Sequence, residues 1–217
     1  AQYLMQVGKT EEACQYYDAA IQRYPEPISV NDETYMQLIR QTADAQTASG
    51  DLEQAEFLVR QVILDEIEAL GHPLTGTLIQ LTHIVFRQED YAQAIELYQQ
   101  AIQMEEKLSG DDNLIASHRN NLGRVYMAAG QLQEAIDAFT QAAEEWTHTE
   151  ATEHHINRSL ALKNLALAYL ETKEFSKAQT AIEDAIQLSE VEYGPDHPDI
   201  GRDANIYALT LQAQGKQ

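Results

Sequence analysis

Five times along the chain an alanine is followed, four residues later, by a bulkier side chain and, three further on, by another small or apolar one. The trios are Ala13/Tyr17/Ala20, Ala55/Val59/Val62, Ala94/Tyr98/Ala101, Ala135/Phe139/Ala142 and Ala178/Ile182/Ala185. Offsets of four and seven lie on one stripe of an α-helix, so each trio predicts a helix with a single buried face. A turn-like tripeptide stands just ahead of each: Gly8-Lys9-Thr10, Gly50-Asp51-Leu52, Glu89-Asp90-Tyr91, Gly130-Gln131-Leu132 and Lys173-Glu174-Phe175, with Gly215-Lys216-Gln217 closing the series. The turns recur every 39 to 43 residues. That period is too long for coiled-coil heptads and regular enough to mark a stacked supersecondary repeat.

A second helical pattern runs into the turns: a bulky residue, a small one, and a bulky one three later. It occurs as Leu122-Gly123-x-x-Tyr126, Leu165-Ala166-x-x-Tyr169 and Tyr207-Ala208-x-x-Leu211, and more loosely as Leu81-Thr82-x-x-Val85. The small residue admits a close helix crossing opposite the alanine that follows the turn. Thr42-Ala43-x-x-Gln46 departs from the pattern at both bulky positions, so packing around the second pair is the least constrained. Pro25-Glu26-Pro27, Gly71-His72-Pro73, Gly110-Asp111-Asp112 and Gly194-Pro195-Asp196-His197-Pro198 supply the turns between pairs. Glycine ends one helix in the left-handed conformation, and Asp or Pro suits the first turn of the next.

The expected architecture is therefore all-α, a single α-solenoid of stacked antiparallel helix pairs over residues 1–217. Repeats are expected at 1–27 (second helix only), 28–71, 72–110, 111–150, 151–195 and 196–217 (first helix only). Stacked repeats bury their faces against neighbours, so these partial ends predict at least one more helix on each side in a longer parent. Only 5 prolines and 10 glycines interrupt the chain, and 44% apolar residues suffice for a folded core, which excludes disorder.

The small-residue crossing together with the alanine and aromatic stripe resembles the tetratricopeptide repeat family over essentially the whole chain. The family's usual period is about 34 residues. The longer period here, with Glu106-Lys107-Leu108-Ser109-Gly110, Asn120-Asn121-Leu122-Gly123 and Tyr193-Gly194-Pro195-Asp196-His197-Pro198-Asp199, is similar to the repeats of kinesin light chains and their bacterial relatives. The resemblance implies a right-handed superhelix in which the first helix of each pair lines a concave channel.

Charge narrows the partners. The 35 acidic residues outweigh 14 basic ones for a formal charge of −21, which repels nucleic-acid phosphates and anionic membrane surfaces. No apolar run approaches the roughly 20 residues needed to span a bilayer; the best, Leu78 to Phe86, is short and carries Gln80, Thr82 and His83. Nucleic acid and membrane insertion are thus not expected. Cys14 is alone and cannot form an internal disulfide, which favours a reducing, cytoplasmic setting. The chain starts at Ala1 without an apolar signal core, as an excised or processed piece would.

Catalytic patterns are missing: no phosphate loop with its lysine, no His-Glu-x-x-His, no cysteine pair and no nucleophile elbow. No enzyme, cofactor or metal site is expected. His148, His154 and His155 are assigned to the surface, since metal ligands must converge on one point. Asn157-Arg158-Ser159 fits a glycosylation acceptor but lies where a helix runs. Asp65/Glu66/Glu68, Glu105/Glu106 and Glu144/Glu145 are assigned to solvated helix faces, and Trp146 and the stripe tyrosines to the core.

Charge placement is more telling. Acids concentrate in the second helices (Glu53, Glu56, Asp65, Glu66, Glu96, Glu134, Asp137, Glu183, Asp184), whereas Thr77 to Arg87 and Leu114 to Met127 have none. Each first helix from the second pair onward carries a base near its crossing residue: Arg40, Arg87, Arg124, Lys163 and Arg202. Acids such as Asp44, Glu171 and Asp203 are near enough in sequence to balance some of them. Beside the bases lie amides, Gln41, Gln80, Asn120, Asn121, Asn164 and Asn205, able to pair with an extended backbone, and His83, Phe86 and Met127 as apolar pocket walls. Family resemblance implies that inner-face asparagines and bases hold a bound segment's backbone or terminal carboxylate, with Asn121 and Asn164 as the counterparts here. The expected function is a protein-interaction module that binds an extended, carboxylate-bearing peptide in its groove. Two rivals are the sensing or scaffolding arm of a larger enzyme or regulator, and an element that self-assembles through exposed repeat ends. Oligomeric state is left open by the residues.

Overall fold

The computed structural model describes residues 1–23, 33–148 and 152–215. Among them are eleven α-helices and no strand: α1 (Gln2–Gln6), α2 (Thr10–Gln22), α3 (Glu33–Ser49), α4 (Leu52–Leu70), α5 (Thr75–Arg87), α6 (Tyr91–Leu108), α7 (Asp112–Ala128), α8 (Leu132–Glu145), α9 (Thr152–Glu171), α10 (Phe175–Tyr193) and α11 (Pro198–Ala213). Odd-numbered helices are the first members of the pairs and even-numbered ones the second. They fall into two compact units, Ala1–Leu97 and Tyr98–Gln217, with the boundary inside α6. The expected turn at Pro25-Glu26-Pro27 lies outside the described residues.

All six predicted punctuation residues adopt the left-handed backbone: Gly8, Gly50, Glu89, Gly130, Lys173 and Gly215 have φ between 64° and 95°. At five of these turns the next residue's N–H donates to the carbonyl five positions back. The bonds are Lys9 to Leu4 (2.8 Å), Asp51 to Gln46 (2.9 Å), Asp90 to Val85 (3.0 Å), Gln131 to Tyr126 (2.9 Å) and Glu174 to Tyr169 (2.8 Å). This closure satisfies carbonyls that a helix end leaves open. Glu89 and Lys173 perform it with a Cβ, which costs about 1–2 kcal/mol in the left-handed region; glycine there costs about 0.5–1 kcal/mol more backbone entropy. Glu89→Gly and Lys173→Gly are each expected to stabilise the fold by roughly 0.5 kcal/mol. Urea unfolding should show a higher midpoint at unchanged slope; a lower midpoint for both would refute the strain.

Fourteen of the fifteen stripe residues are buried; Ala20, near the end of α2, is exposed. In the first unit Ala13, Tyr17 and Ala45 form one cluster and Met36, Ile39 and Val62 another. The second unit has a larger core built on Phe139, Trp146, Leu162, Leu165 and Ile182 among close-packed alanines. The uncertain crossing at Thr42-Ala43-x-x-Gln46 is made like the others: Ala43, Thr42 and Gln46 are all buried, and the Thr42 hydroxyl donates to Leu38 O at 2.8 Å. Thr82 does the same with Leu78 O at 2.7 Å, so a threonine fills the crossing without an orphaned hydroxyl.

Two carboxylates assigned to solvent are instead buried. Glu66, 4% exposed, accepts hydrogen bonds from Arg40 Nη2 (2.5 Å), the Thr77 hydroxyl (2.6 Å) and Leu74 N (2.8 Å). Glu105 accepts from the Ser109 hydroxyl at 2.5 Å. Nearby, burial holds the His118 imidazole below its usual pKa, with the Glu105 charge opposing. Burial is tolerable because these charges are paired or hydrogen-bonded rather than stripped of partners. Glu106 is exposed as expected and Glu145 is half-buried; both pair with Arg119.

Candidate functional site

In α3, α5, α7 and α9 the crossing residue is buried, and so is the residue two further on (Ala45, Ile84, Val125 and Ala168); the exposed flank lies between them, at Asp44, His83, Arg124 and Leu167, while Ala208 of α11 is exposed. Arg40 and Lys163 stand three residues before their crossing residues Ala43 and Ala166; Arg124 stands one after Gly123, Arg87 five after Thr82 and Arg202 six before Ala208. At about 100° per residue these offsets fall within an arc of roughly 80°. All five bases thus leave the same side of their helices, at different heights. Arg40 and Lys163 lie at the edge of the buried arc and are half-buried, while Arg87, Arg124 and Arg202 are exposed.

In the first unit Arg40 is tied to Glu66 of α4. Gln80 of α5 donates its side-chain amide to Arg40 O (2.9 Å) and to Asp44 Oδ1 (2.7 Å), bridging two neighbouring first helices. Arg87 reaches back along the same seam to donate to Thr47 O. Gln41 lines a cleft between α1, α2 and α3. Phe86 is half-buried with its ring 5.6 Å from that of Tyr91, and His83 is exposed beside it.

In the second unit Asn164 Nδ2 donates to the buried Asn120 Oδ1 at 3.0 Å, joining α9 to α7. Lys163 pairs with Asp203 of α11, 1% exposed, at 3.1 Å. Arg202 pairs with Asp199 on its own helix. Arg124 is exposed and donates a long, 3.5 Å hydrogen bond to Asn121 Oδ1. It lies near Tyr98, whose phenol burial pushes up to about 12, with the Arg124 charge opposing. Met127 packs against the core, and Asn205 is exposed.

Pairing thus sorts the predicted bases. Arg40, Lys163 and Arg202 each have a carboxylate, whereas among the described residues none lies within 4 Å of Arg87 or Arg124. Of the acids expected to balance them, Asp203 takes Lys163 and Asp44 takes the Gln80 amide. Ser159 of the Asn157-Arg158-Ser159 sequence is buried in α9, bonded to Ala185 O and the Ser189 hydroxyl. The side chains of His148 and His154 lie outside those described. No three His, Cys, Asp or Glu side chains converge among the described residues, and no described helix is long and apolar enough to cross a membrane.

Three family models, each described as tetratricopeptide repeat, match residues 1–27, 75–144 and 160–199, together more than half the chain. The chain belongs to the tetratricopeptide repeat family. Over 138 residues this tetratricopeptide repeat chain is 25% identical to Protein KINESIN LIGHT CHAIN-RELATED 2 of Arabidopsis thaliana, a match to 64% of the chain and 21% of the relative. It therefore spans about a fifth of that curated relative's length. Among solved structures it superposes on BtubC (BKLC) from P. vanneervenii with TM-score 0.76 at 20% identity, covering 95% of this chain and 84% of the other. It also superposes on a STAND signal-transduction ATPase with a tetratricopeptide repeat sensor from Pyrococcus horikoshii, with TM-score 0.77 at 16% identity, covering 98% of this chain and 31% of that one. These likenesses establish an all-α, kinesin-light-chain-like repeat fold.

Proposed function

We propose that this chain, whose repeat architecture is that of a protein-interaction scaffold, holds an extended, carboxylate-bearing segment of a partner protein on the open side of its first helices. The carrying observation is Arg124, an exposed guanidinium without a carboxylate within 4 Å among the described residues. It stands among donors suited to an extended backbone, namely Asn121 and the amides of the Asn120–Asn164 pair. A carboxylate arriving there gains a charge-assisted bond that no neighbouring acid already satisfies. Arg87 offers the same opportunity in the first unit, whereas Arg40, Lys163 and Arg202 position neighbours and offer little free charge.

The test compares an acetylated octapeptide bearing three aspartates with its asparagine counterpart by calorimetry. Arg124→Glu is expected to weaken the aspartate peptide at least about tenfold, from the loss of about 1.5–3 kcal/mol of charge-assisted bonding. The asparagine peptide should change little. Equal weakening of both would remove Arg124 as the selecting charge.

A second reading is a sensing or scaffolding arm of a larger protein. It is favoured by the small share of the Arabidopsis thaliana relative and of the Pyrococcus horikoshii protein that this chain matches. The complete reading frame of the parent gene decides it: no further domain on either side would end that reading.

A further inference from the structure

The cleft between α1, α2 and α3 differs chemically from the rest of the open side. It measures about 430 Å³ and is lined by Gln2, Met5, Gln6, Tyr17, Gln41 and Asp44. Asp44 is the one charged residue in that lining, and among the described residues no Lys, Arg or His lies within 4 Å of it. In the same unit Lys9 is paired with Glu12 and Arg40 with Glu66. Asp44 Oδ1 receives the Gln80 amide, which fixes the carboxylate and leaves Oδ2 open.

Tyr17 adds a hydroxyl to the same cleft. Its side chain is 6% exposed and anchors the first-unit cluster, yet its hydroxyl makes no hydrogen bond to any described residue. Burial and then the Asp44 charge push the phenol above its ordinary pKa, so it stays a neutral hydroxyl facing a carboxylate. A phenol and a carboxylate with no base within 4 Å among the described residues share this open cleft with three glutamine side chains, a polar surface able to accept from a cation.

We propose that this cleft binds the alkylammonium head of a lysine side chain on a partner segment, with Asp44 as counter-ion and Tyr17 and the glutamine carbonyls as further acceptors. Lysine suits the site better than arginine. The guanidinium fork prefers both oxygens of a carboxylate, and Gln80 already holds one, whereas a compact ammonium directs three donors at acceptors spread around it. Met5 offers an apolar wall for the methylene stem. At the low end of the ~300–1,000 Å³ of ligand pockets, the cleft suits one side-chain head rather than a cofactor. The inference does not depend on Arg124, which lies in the other unit.

The full 217-residue chain, labelled for NMR, is titrated with acetyl-Ala-Ala-Lys-Ala-Ala-amide, its acetyl-lysine counterpart, and n-butylammonium chloride. The lysine peptide is expected to shift the side-chain amides of Gln2, Gln6 and Gln41 and to bind about tenfold tighter than the acetyl-lysine peptide. Asp44→Asn, at an exposed position, should abolish that discrimination, and Tyr17→Phe should reduce it about threefold. Equal affinity for the two peptides, or full discrimination in Asp44→Asn, overturns the site. Butylammonium binding as tightly as the lysine peptide overturns the partner-segment assignment in favour of a free amine. The aspartate octapeptide measured on Asp44→Asn should keep its affinity, so the two binding readings fail separately.

Discussion

Gly123→Val is expected to cost at least about 3 kcal/mol, beyond the usual 1–3 kcal/mol of core overpacking, because the space for its side chain is already filled. Gly123 is mid-helix in α7, where glycine is about 1 kcal/mol worse than alanine, so helix propensity argues against it. What requires it is contact: a Cβ would lie 2.6 Å from Phe139 Cε1 and 2.7 Å from Cδ1. The Phe139 ring is 0% exposed and enclosed by the second unit's core, so it has nowhere to withdraw. Even Gly123→Ala should lose about 1–2 kcal/mol once the propensity gain is set against overpacking. Gly76→Ala and Gly201→Ala are the control, since both glycines are helical and nothing lies within 4 Å of their added Cβ. Those two should be neutral or stabilise by up to about 1 kcal/mol. Calorimetry on the four variants reads a shift of about 2–4 °C per kcal/mol for a chain this size. A Gly123→Ala melting temperature at or above wild type would mean the ring relaxes and the crossing is not close-packed. Pairing Gly123→Ala with Phe139→Leu should recover part of the loss, and additive effects would place the cost elsewhere.

That crossing was legible in the sequence because its pattern of bulky and small residues recurs three times and, more loosely, a fourth. A single Leu-Gly pair says little, but Gly123, Ala166, Thr82 and Ala43 in equivalent places say that two backbones approach. Recurrence also located the left-handed turns at Glu89 and Lys173, which no local rule for glycine would have flagged. The buried carboxylates were missed although their signal was present. Extending the last four stripes by one more step of four reaches Glu66, Glu105, Trp146 and Ser189, all buried. Each finds a hydrogen-bond partner: Trp146 Nε1 donates to Asn113 Oδ1 at 2.8 Å, and Ser189 meets the Ser159 hydroxyl at 2.7 Å. Acidic runs such as Asp65/Glu66/Glu68 look solvated as a group, and only the stripe register separates the buried member. The candidate site was less legible for another reason. Its pairings, Asn164 with Asn120, Lys163 with Asp203 and Gln80 with Asp44, join first helices some 36 to 44 residues apart. They depend on the relative height of adjacent helices, which a repeat period leaves unspecified.

The register also makes Glu66 the residue whose loss should hurt the first unit most. Glu66→Ala removes the common acceptor of the Arg40 guanidinium, the Thr77 hydroxyl and Leu74 N, leaving three donors at a buried spot. Breaking a buried charge pair on one side costs about 3–5 kcal/mol; Arg40 is 31% exposed and partly hydrated, which favours the lower end. Glu66→Gln keeps a carbonyl for one or two donors but loses the charge, and should cost about 1.5–3 kcal/mol. The double variant Glu66→Leu/Arg40→Met should regain most of the deficit, because replacing both partners of a buried pair by apolar groups is often close to neutral. In urea the midpoint should fall for Glu66→Ala with the slope unchanged, and added salt should move it little, since Glu66 is shielded from solvent ions. A Glu66→Ala loss below about 1 kcal/mol, within the range of exposed pairs, would show that the cluster is hydrated and its carboxylate dispensable. The same series separates stability from recognition at Arg40. If its charge is consumed by Glu66, Arg40→Met in the double variant leaves the affinity for the aspartate octapeptide unchanged, whereas a tenfold loss would return Arg40 to the binding surface.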